Sequence, residues 1–262
     1  MITTFNKCYV LGASGFVGRH VVAKLLSQNF EVVKLNRPQY DLRNPRSLFD
    51  LDYDDSIIVD CATLVEGTDA DIKSVVLNGP KQFTEFLASK RARYIYFSTS
   101  TVVNSTICKT NVYVRCKREM EKSILKLNDS TIVRLTFPFG HTESANRLIS
   151  RLIAKALHGE NLIIGDIVLP LTPIMFLMDN LVPLLNSRNE IINFTDGAVY
   201  KLYEVAETIY TALDLPFAYV LDHSNAYDFS IPEPDIFINR YDTLRLIQEM
   251  ARTANAMHRM QR

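Results

Sequence analysis

Tyr113 and Lys117 stand four residues apart in Tyr-Val-Arg-Cys-Lys-Arg-Glu-Met-Glu, a run with helical patterning, so the two side chains share one face. A phenol, with an ordinary pKa of about 10, is a poor acid or base at neutral pH unless a nearby cation stabilises its phenolate. Lowering it by about three units takes about 4 kcal/mol of differential interaction, and Lys117 is placed to help. The spacing alone is common, and a surface tyrosine beside a solvated lysine would also produce it. A second cluster adds weight: Tyr96-Phe-Ser-Thr-Ser-Thr-Val closes an apolar strand with hydroxyls at the edge where sheet ligands gather.

A third group lies near the start of the chain. In Cys-Tyr-Val-Leu-Gly-Ala-Ser-Gly-Phe-Val-Gly-Arg an apolar strand runs into Gly12, Gly15 and Gly18 and then into a helical pattern. Gly12 permits a tight turn, Gly15 lets the backbone approach a pyrophosphate, and Gly18 lets the helix pack closely on the strand. The guest expected there is a dinucleotide, although a strand-to-helix turn that merely uses glycines has the same spacing.

The elements that must position these groups are legible as alternation. Strands are expected at 7 to 12, 31 to 36, 56 to 61, 93 to 98 and 131 to 137. Between them, Val21, Leu25 and Leu26 give one helix a buried stripe, and Val75, Phe83, Phe86 and Leu87 give another. This predicts an α/β chain: a Rossmann-type doubly wound parallel sheet with a small C-terminal substrate-binding lobe. The sheet domain is expected at 1–137 plus about 172–188, and the lobe at about 138–171 and 189–262. Later elements are a helix from about 145 to 158, a short strand at Ile191 to Phe194 and a helix near Tyr200 to Leu213. A terminal amphipathic helix carries Leu244, Ile247, Ala251 and Ala254.

Composition narrows the function classes. The 262 residues include 47% hydrophobic residues, 29 basic and 29 acidic side chains, so no net field argues for nucleic acid or an anionic membrane. Ile167 to Met178 is apolar but shorter than the about 20 residues needed to span a bilayer, and Pro170 and Pro173 interrupt it; a buried strand or loop is expected. Cys8, Cys61, Cys108 and Cys116 show neither paired spacing nor a histidine cluster, which predicts reduced thiols, no metal and a cytoplasmic protein. His20, His158, His223 and His258 are scattered and read as structural or surface residues.

Taken in order, these parts resemble the extended short-chain dehydrogenase/reductase family, the NAD(P)-dependent sugar epimerases, dehydratases and ketoreductases. The resemblance rests on Gly12, Gly15 and Gly18; Asp41-Leu42; Cys61-Ala62-Thr63; Asn78; the hydroxyl cluster; Tyr113 with Lys117; and Arg134-Leu-Thr-Phe-Pro-Phe-Gly. It continues through Asn146 to Gly159, Asp179-Asn-Leu and Asn193-Phe-Thr-Asp-Gly, over about the first 215 residues. It implies that Tyr113 exchanges a proton with a sugar oxygen, that Lys117 holds the nicotinamide ribose, and that Thr99 polarises the same oxygen, with Ser100 the register alternative. Ser100 and His141 are then substrate-side residues. Cofactor contacts fall to Gly12, Ser14, Gly15, Phe16, Val17, Gly18, Asn36, Arg37, Asp41, Leu42, Cys61, Ala62, Thr63, Asn78, Phe137 and Pro138. The family also implies a homodimer.

Asn36 and Arg37 decide the cofactor. An acidic side chain after the second strand would accept from ribose hydroxyls and repel a 2′-phosphate; a neutral residue and a cation there favour NADP, with NAD the alternative. Arg37 stacked on adenine would suit either cofactor, and Asp41 could equally cap a loop. The chain also departs from the family. Val102-Val103-Asn104 replaces the usual Val-Tyr-Gly, and only fourteen positions separate Thr99 from Tyr113. Ser100 and Thr101 stand where 4,6-dehydratases carry an Asp-Glu pair, which disfavours elimination of water. The expectation is a nucleotide-sugar 4-ketoreductase, with a 4-epimerase or a non-catalytic cofactor-binding module as alternatives.

Overall fold

A computed structural model describes residues 5–141, 143, 145, 147–229 and 235–260. The chain divides into two compact units, Met1–Leu135 with Met178–Phe194, and Thr136–Leu177 with Thr195–Arg262.

In the first unit, β1 (Lys7–Leu11) leads into α1 (Phe16–Ser27), followed by β2 (Glu31–Leu35) and β3 (Ser56–Asp60). Then come α2 (Gly79–Leu87), β4 (Ala92–Thr99), α3 (Val112–Ile124), β5 (Ser130–Leu135) and, after the second unit's first segment, β6 (Glu190–Thr195). These six strands are parallel, in the order β6-β5-β4-β3-β1-β2. The chain leaves β1 toward β2 on one side and resumes at β3 on the other, so the topological switch point lies between β1 and β3. Every residue of β3 is buried, and β4 is buried from Arg93 to Ser98, as a sheet covered on both faces requires.

Two expectations need correction. Leu26 does not belong to the buried stripe of α1: it is 51% exposed, and Val22 takes its place beside Gly18, Val21 and Leu25. Positions 18, 21, 22 and 25 are the run a 3.6-residue period brings to one face. The strand around Ile191 is part of the large sheet, not of the lobe, because it pairs with β5 from Thr131↔Glu190 to Arg134↔Asn193 and covers what would otherwise be an open edge.

The second unit has a strand, Leu162–Leu169, flanked by Tyr219–Asp228 in parallel and Tyr200–Lys201 in antiparallel. The helices Leu148–His158, Leu202–Ala212 and Thr243–Met260 pack on a core that includes Ile153, Leu169, Ile209 and Ile247. Within Ile167 to Met178, the chain is helical from Ile174, directly after Pro173, whose fixed φ suits a helix entry.

Candidate functional site

The glycine turn is shaped by backbone approach. Gly12 has φ +68°, and a Cβ there would lie 2.8 Å from the Cα of Ala62, just past the end of β3. A Cβ on Gly18 would sit 2.1 Å from the carbonyl oxygen of Gly12, so α1 can lie this close to the turn only without one. Gly15 is different: it is exposed, and a Cβ there would meet only the Gly12 oxygen, at 3.1 Å. Gly15 caps α1 with no side-chain bond, and the first turn contains no acidic residue. The leading N–H groups and the positive end of the helix dipole therefore meet no anionic side chain of their own turn, a setting that fits the pyrophosphate of a dinucleotide. Phe16 and Val17 open the helix, with Phe16 buried.

Asn36, just past β2, accepts a hydrogen bond from the Ser14 N–H on its Oδ1 at 2.8 Å, so it fastens the turn. Arg37 beside it is exposed. Asp41 is held by Arg43 through a two-pronged contact, 3.0 Å from Nε and 2.5 Å from Nη2. The Arg43 hydrogen bond keeps the Asp41 carboxyl below its usual range, and the charge on Arg37 acts in the same sense. Leu42 is buried, and its carbonyl oxygen occupies the place of a Cβ on Gly79, which would fall 1.5 Å away. Sequence reasoning missed Gly79. Its signal was a glycine in a helical run, which costs about 1 kcal/mol relative to alanine and so wants a reason. Asn78, exposed, ends the π-helical turn Ser74–Asn78 that precedes it. Cys61 and Ala62 are half-buried and Thr63 is exposed; burial pushes the Cys61 thiol well up.

At the end of β4, Thr99 is half-buried and its hydroxyl lies 2.8 Å from that of Thr101. Ser100 is buried, and its Oγ has no hydrogen-bond partner among the described residues. Tyr113 and Lys117 lie on α3, which Asn111 caps by accepting from the Val114 N–H. Tyr113 is half-buried against Ile72, Val76 and Cys116. Lys117 is buried: its Nζ donates to the Phe97 carbonyl at 2.8 Å and lies 4.3 Å from the centre of the Tyr96 ring and 6.0 Å from that of Tyr113. Burial pushes the Lys117 ammonium down to about 8, against the opposing pull of Asp60 and Glu121.

Those two carboxylates were not singled out in the sequence. Glu121, buried one turn beyond Lys117, accepts from Ser98 Oγ at 2.6 Å and from Arg134 at 3.0 and 2.7 Å. Asp60 ends β3 and accepts from the Tyr94 hydroxyl at 2.6 Å and the Ala62 N–H at 2.9 Å. Their signal was an acid inside a stretch that patterning makes apolar, Ser-Ile-Ile-Val-Asp, and an acid four residues after a lysine on a buried helix face.

Phe137, Pro138 and His141 belong to the second unit. Phe137 has φ +31°, a left-handed conformation rare for a bulky residue, and its ring meets Phe229 edge-on at 5.1 Å. Arg147 donates to the Pro138 carbonyl at 3.3 Å, and His141 is exposed. Asn146 lies outside the described residues.

Residues 8–173 match the family model described as NAD dependent epimerase/dehydratase family. No curated protein matches the chain by sequence. Among solved structures, MoeE5 in complex with UDP-glucose and NAD matches with a TM-score of 0.79 at 17% identity, over 96% of this chain and 99% of that one. The UDP-glucose 4-epimerase of Thermotoga maritima, with UDP-glucose, also gives 0.79, at 15% identity over 96% and 99%. RMD from Pseudomonas aeruginosa, complexed with NADPH, gives 0.72 at 20% identity over 95% and 99%. At such identities the likeness is one of fold.

Proposed function

The chain belongs to the NAD dependent epimerase/dehydratase family, and from that premise we propose that it oxidises or reduces a nucleotide-activated sugar, as an NADPH-dependent 4-ketoreductase. The observation that supports this reading is the presence, in one unit, of a glycine turn open to a pyrophosphate and of Lys117 bonded to the Phe97 carbonyl near the hydroxyl end of β4, with the Tyr113 ring 6.0 Å from its ammonium. When bound, the nicotinamide ring gives or takes hydride at a sugar carbon. Tyr113 delivers the proton to the carbonyl oxygen as it becomes a hydroxyl, and takes it back in the reverse direction. Lys117 contributes positive charge beside that phenol. One of its three N–H bonds is spent on the Phe97 carbonyl, which leaves two donors for ribose hydroxyls. Thr99 is the donor that polarises the sugar oxygen, with Ser100, whose buried Oγ has no partner among the described residues, the register alternative.

The NADPH preference is supported by the end of β2, where no acidic side chain stands and Arg37 is exposed while Asn36 is engaged with Ser14. A 2′-phosphate would meet a cation there, and Arg43 already has its carboxylate partner in Asp41. Reduction is favoured over dehydration because Ser100 and Thr101 offer hydroxyls, not carboxylates, to a substrate. Incubation of the purified chain with NADPH and a 4-keto nucleotide sugar tests the reading. Loss of absorbance from the reduced cofactor is expected. Interconversion of 4-epimers without net cofactor consumption would replace it with the epimerase reading, and saturable cofactor binding with neither reaction on any such sugar would favour a binding module.

A further inference from the structure

The charges around Lys117 do not balance in the obvious way. Glu121 is the nearer acid in sequence, but its charge is matched by the Arg134 guanidinium, which grips both carboxylate oxygens. Asp60, at 1% exposure, receives only neutral donors, the Tyr94 hydroxyl on one oxygen and the Ala62 amide on the other. No arginine, histidine or lysine forms a direct ion pair with it among the described residues, so any cation that balances it acts at longer range. A buried carboxylate with neutral partners alone is costly unless a cation stands near. Asp60 lies in register with Tyr96 across β3 and β4, and the Tyr96 ring is the surface on which the Lys117 ammonium rests.

We propose that Asp60 is a positioning residue, the buried counter-charge that keeps the Lys117 ammonium protonated and seated between the Tyr96 ring and the Phe97 carbonyl. It also ties that ammonium to the wall of the glycine turn, since the same carboxylate fixes the Ala62 amide and Ala62 is the residue packed against Gly12. The proposal deepens the reading in which Lys117 serves a nicotinamide cofactor, and it rests on that reading for its function but not for its electrostatics.

Of the other groups facing Lys117, Cys61 after β3 acts on it in the same sense as the two acids, but burial pushes its own thiol well up, and the Tyr94 and Tyr96 phenols on β4 are likewise pushed up by burial. On its own helix stand Tyr113 and the already paired Glu121. Asp69 and Lys73, from the short helix Asp69–Lys73, act on Cys116. Burial raises the pKa of Asp60 itself, and Lys117 opposes that rise, as a pair sharing one charge balance must.

The test is a titration of Lys117 by NMR in the cofactor-free full chain carrying Cε-labelled lysine, with its resonance assigned through Lys117→Arg. The expected midpoint is about 8, and Asp60→Asn should lower it by about one unit, a tenfold shift in the proton equilibrium. Tyr94→Phe, which keeps the carboxylate but removes a hydrogen bond that favours its charged form, should lower it by a smaller amount. It also serves if Asp60→Asn does not fold. An unchanged or raised midpoint in either folded variant overturns the proposal. Failure of the cofactor reading would show separately, as NADPH binding that Lys117→Met leaves unaltered.

Discussion

The glycine turn and the surroundings of Lys117 are two halves of one candidate site, made by opposite means. The turn is defined by side chains that are missing: Gly12 and Gly18 each stand where a Cβ would strike backbone, as Gly79 does at the start of α2 against the loop that carries Leu42. The Lys117 pocket is defined by side chains that are costly to bury, an ammonium and two carboxylates contributed by β3 and α3, with Arg134 of β5 balancing one of them. A steric arrangement fails abruptly when an atom is added. An electrostatic one shifts by degrees as charges are moved or titrated.

The largest effect expected from this contrast is that of Gly79→Ala. The added Cβ would meet the Leu42 carbonyl at 1.5 Å, where neither partner is a flexible side chain. Destabilisation of about 5 kcal/mol or more is expected in urea denaturation; a variant as stable as the parent would mean that the loop carrying Leu42 approaches the helix less closely than described.

Next in size is Tyr113→Phe. Turnover should fall about a thousandfold, while reduced cofactor titrated by fluorescence binds as before, since in the proposed reaction the phenol oxygen moves a proton and does not build the turn. Equal losses in binding and turnover would shift Tyr113 from the chemistry to the architecture.

The smallest is a dependence of stability on pH. Folded Lys117 releases its proton near pH 8, whereas its ordinary value is 10.5, so the unfolded chain binds more protons across that interval. Stability should therefore rise with pH from about 8 toward 10.5 in the parent relative to Lys117→Met, by up to about 3 kcal/mol. Parallel stability curves for the two proteins would show that the ammonium is better solvated than its burial indicates.

The same contrast explains what could be read from the sequence. The glycine spacing and the five strands from β1 to β5 were visible because turns and buried strands impose local patterns on residue type. The placement of β6 was not, since its partner β5 lies far away in the chain and the intervening segment forms a separate unit. Tyr113 and Lys117 were legible as a helical pair. The partners that set the environment of Lys117, namely Asp60, Tyr96 and the Glu121–Arg134 pair, come from three strands and a helix and share no spacing rule. Gly79 was passed over because its reason, the Leu42 carbonyl, lies on a distant loop.

The central claim is that the exposed start of α1 receives the pyrophosphate of a nicotinamide dinucleotide. Gly15→Asp isolates it: φ −68° and ψ 171° are an ordinary extended conformation, the added Cβ asks only for a shift of the Gly12 oxygen from 3.1 Å, and an aspartate there is a favourable helix cap. Fluorescence titration with NADPH should show saturable binding by the parent chain and binding about a hundredfold weaker or worse by a Gly15→Asp protein that is folded and at least as stable. Equal affinity in the two proteins would contradict the account.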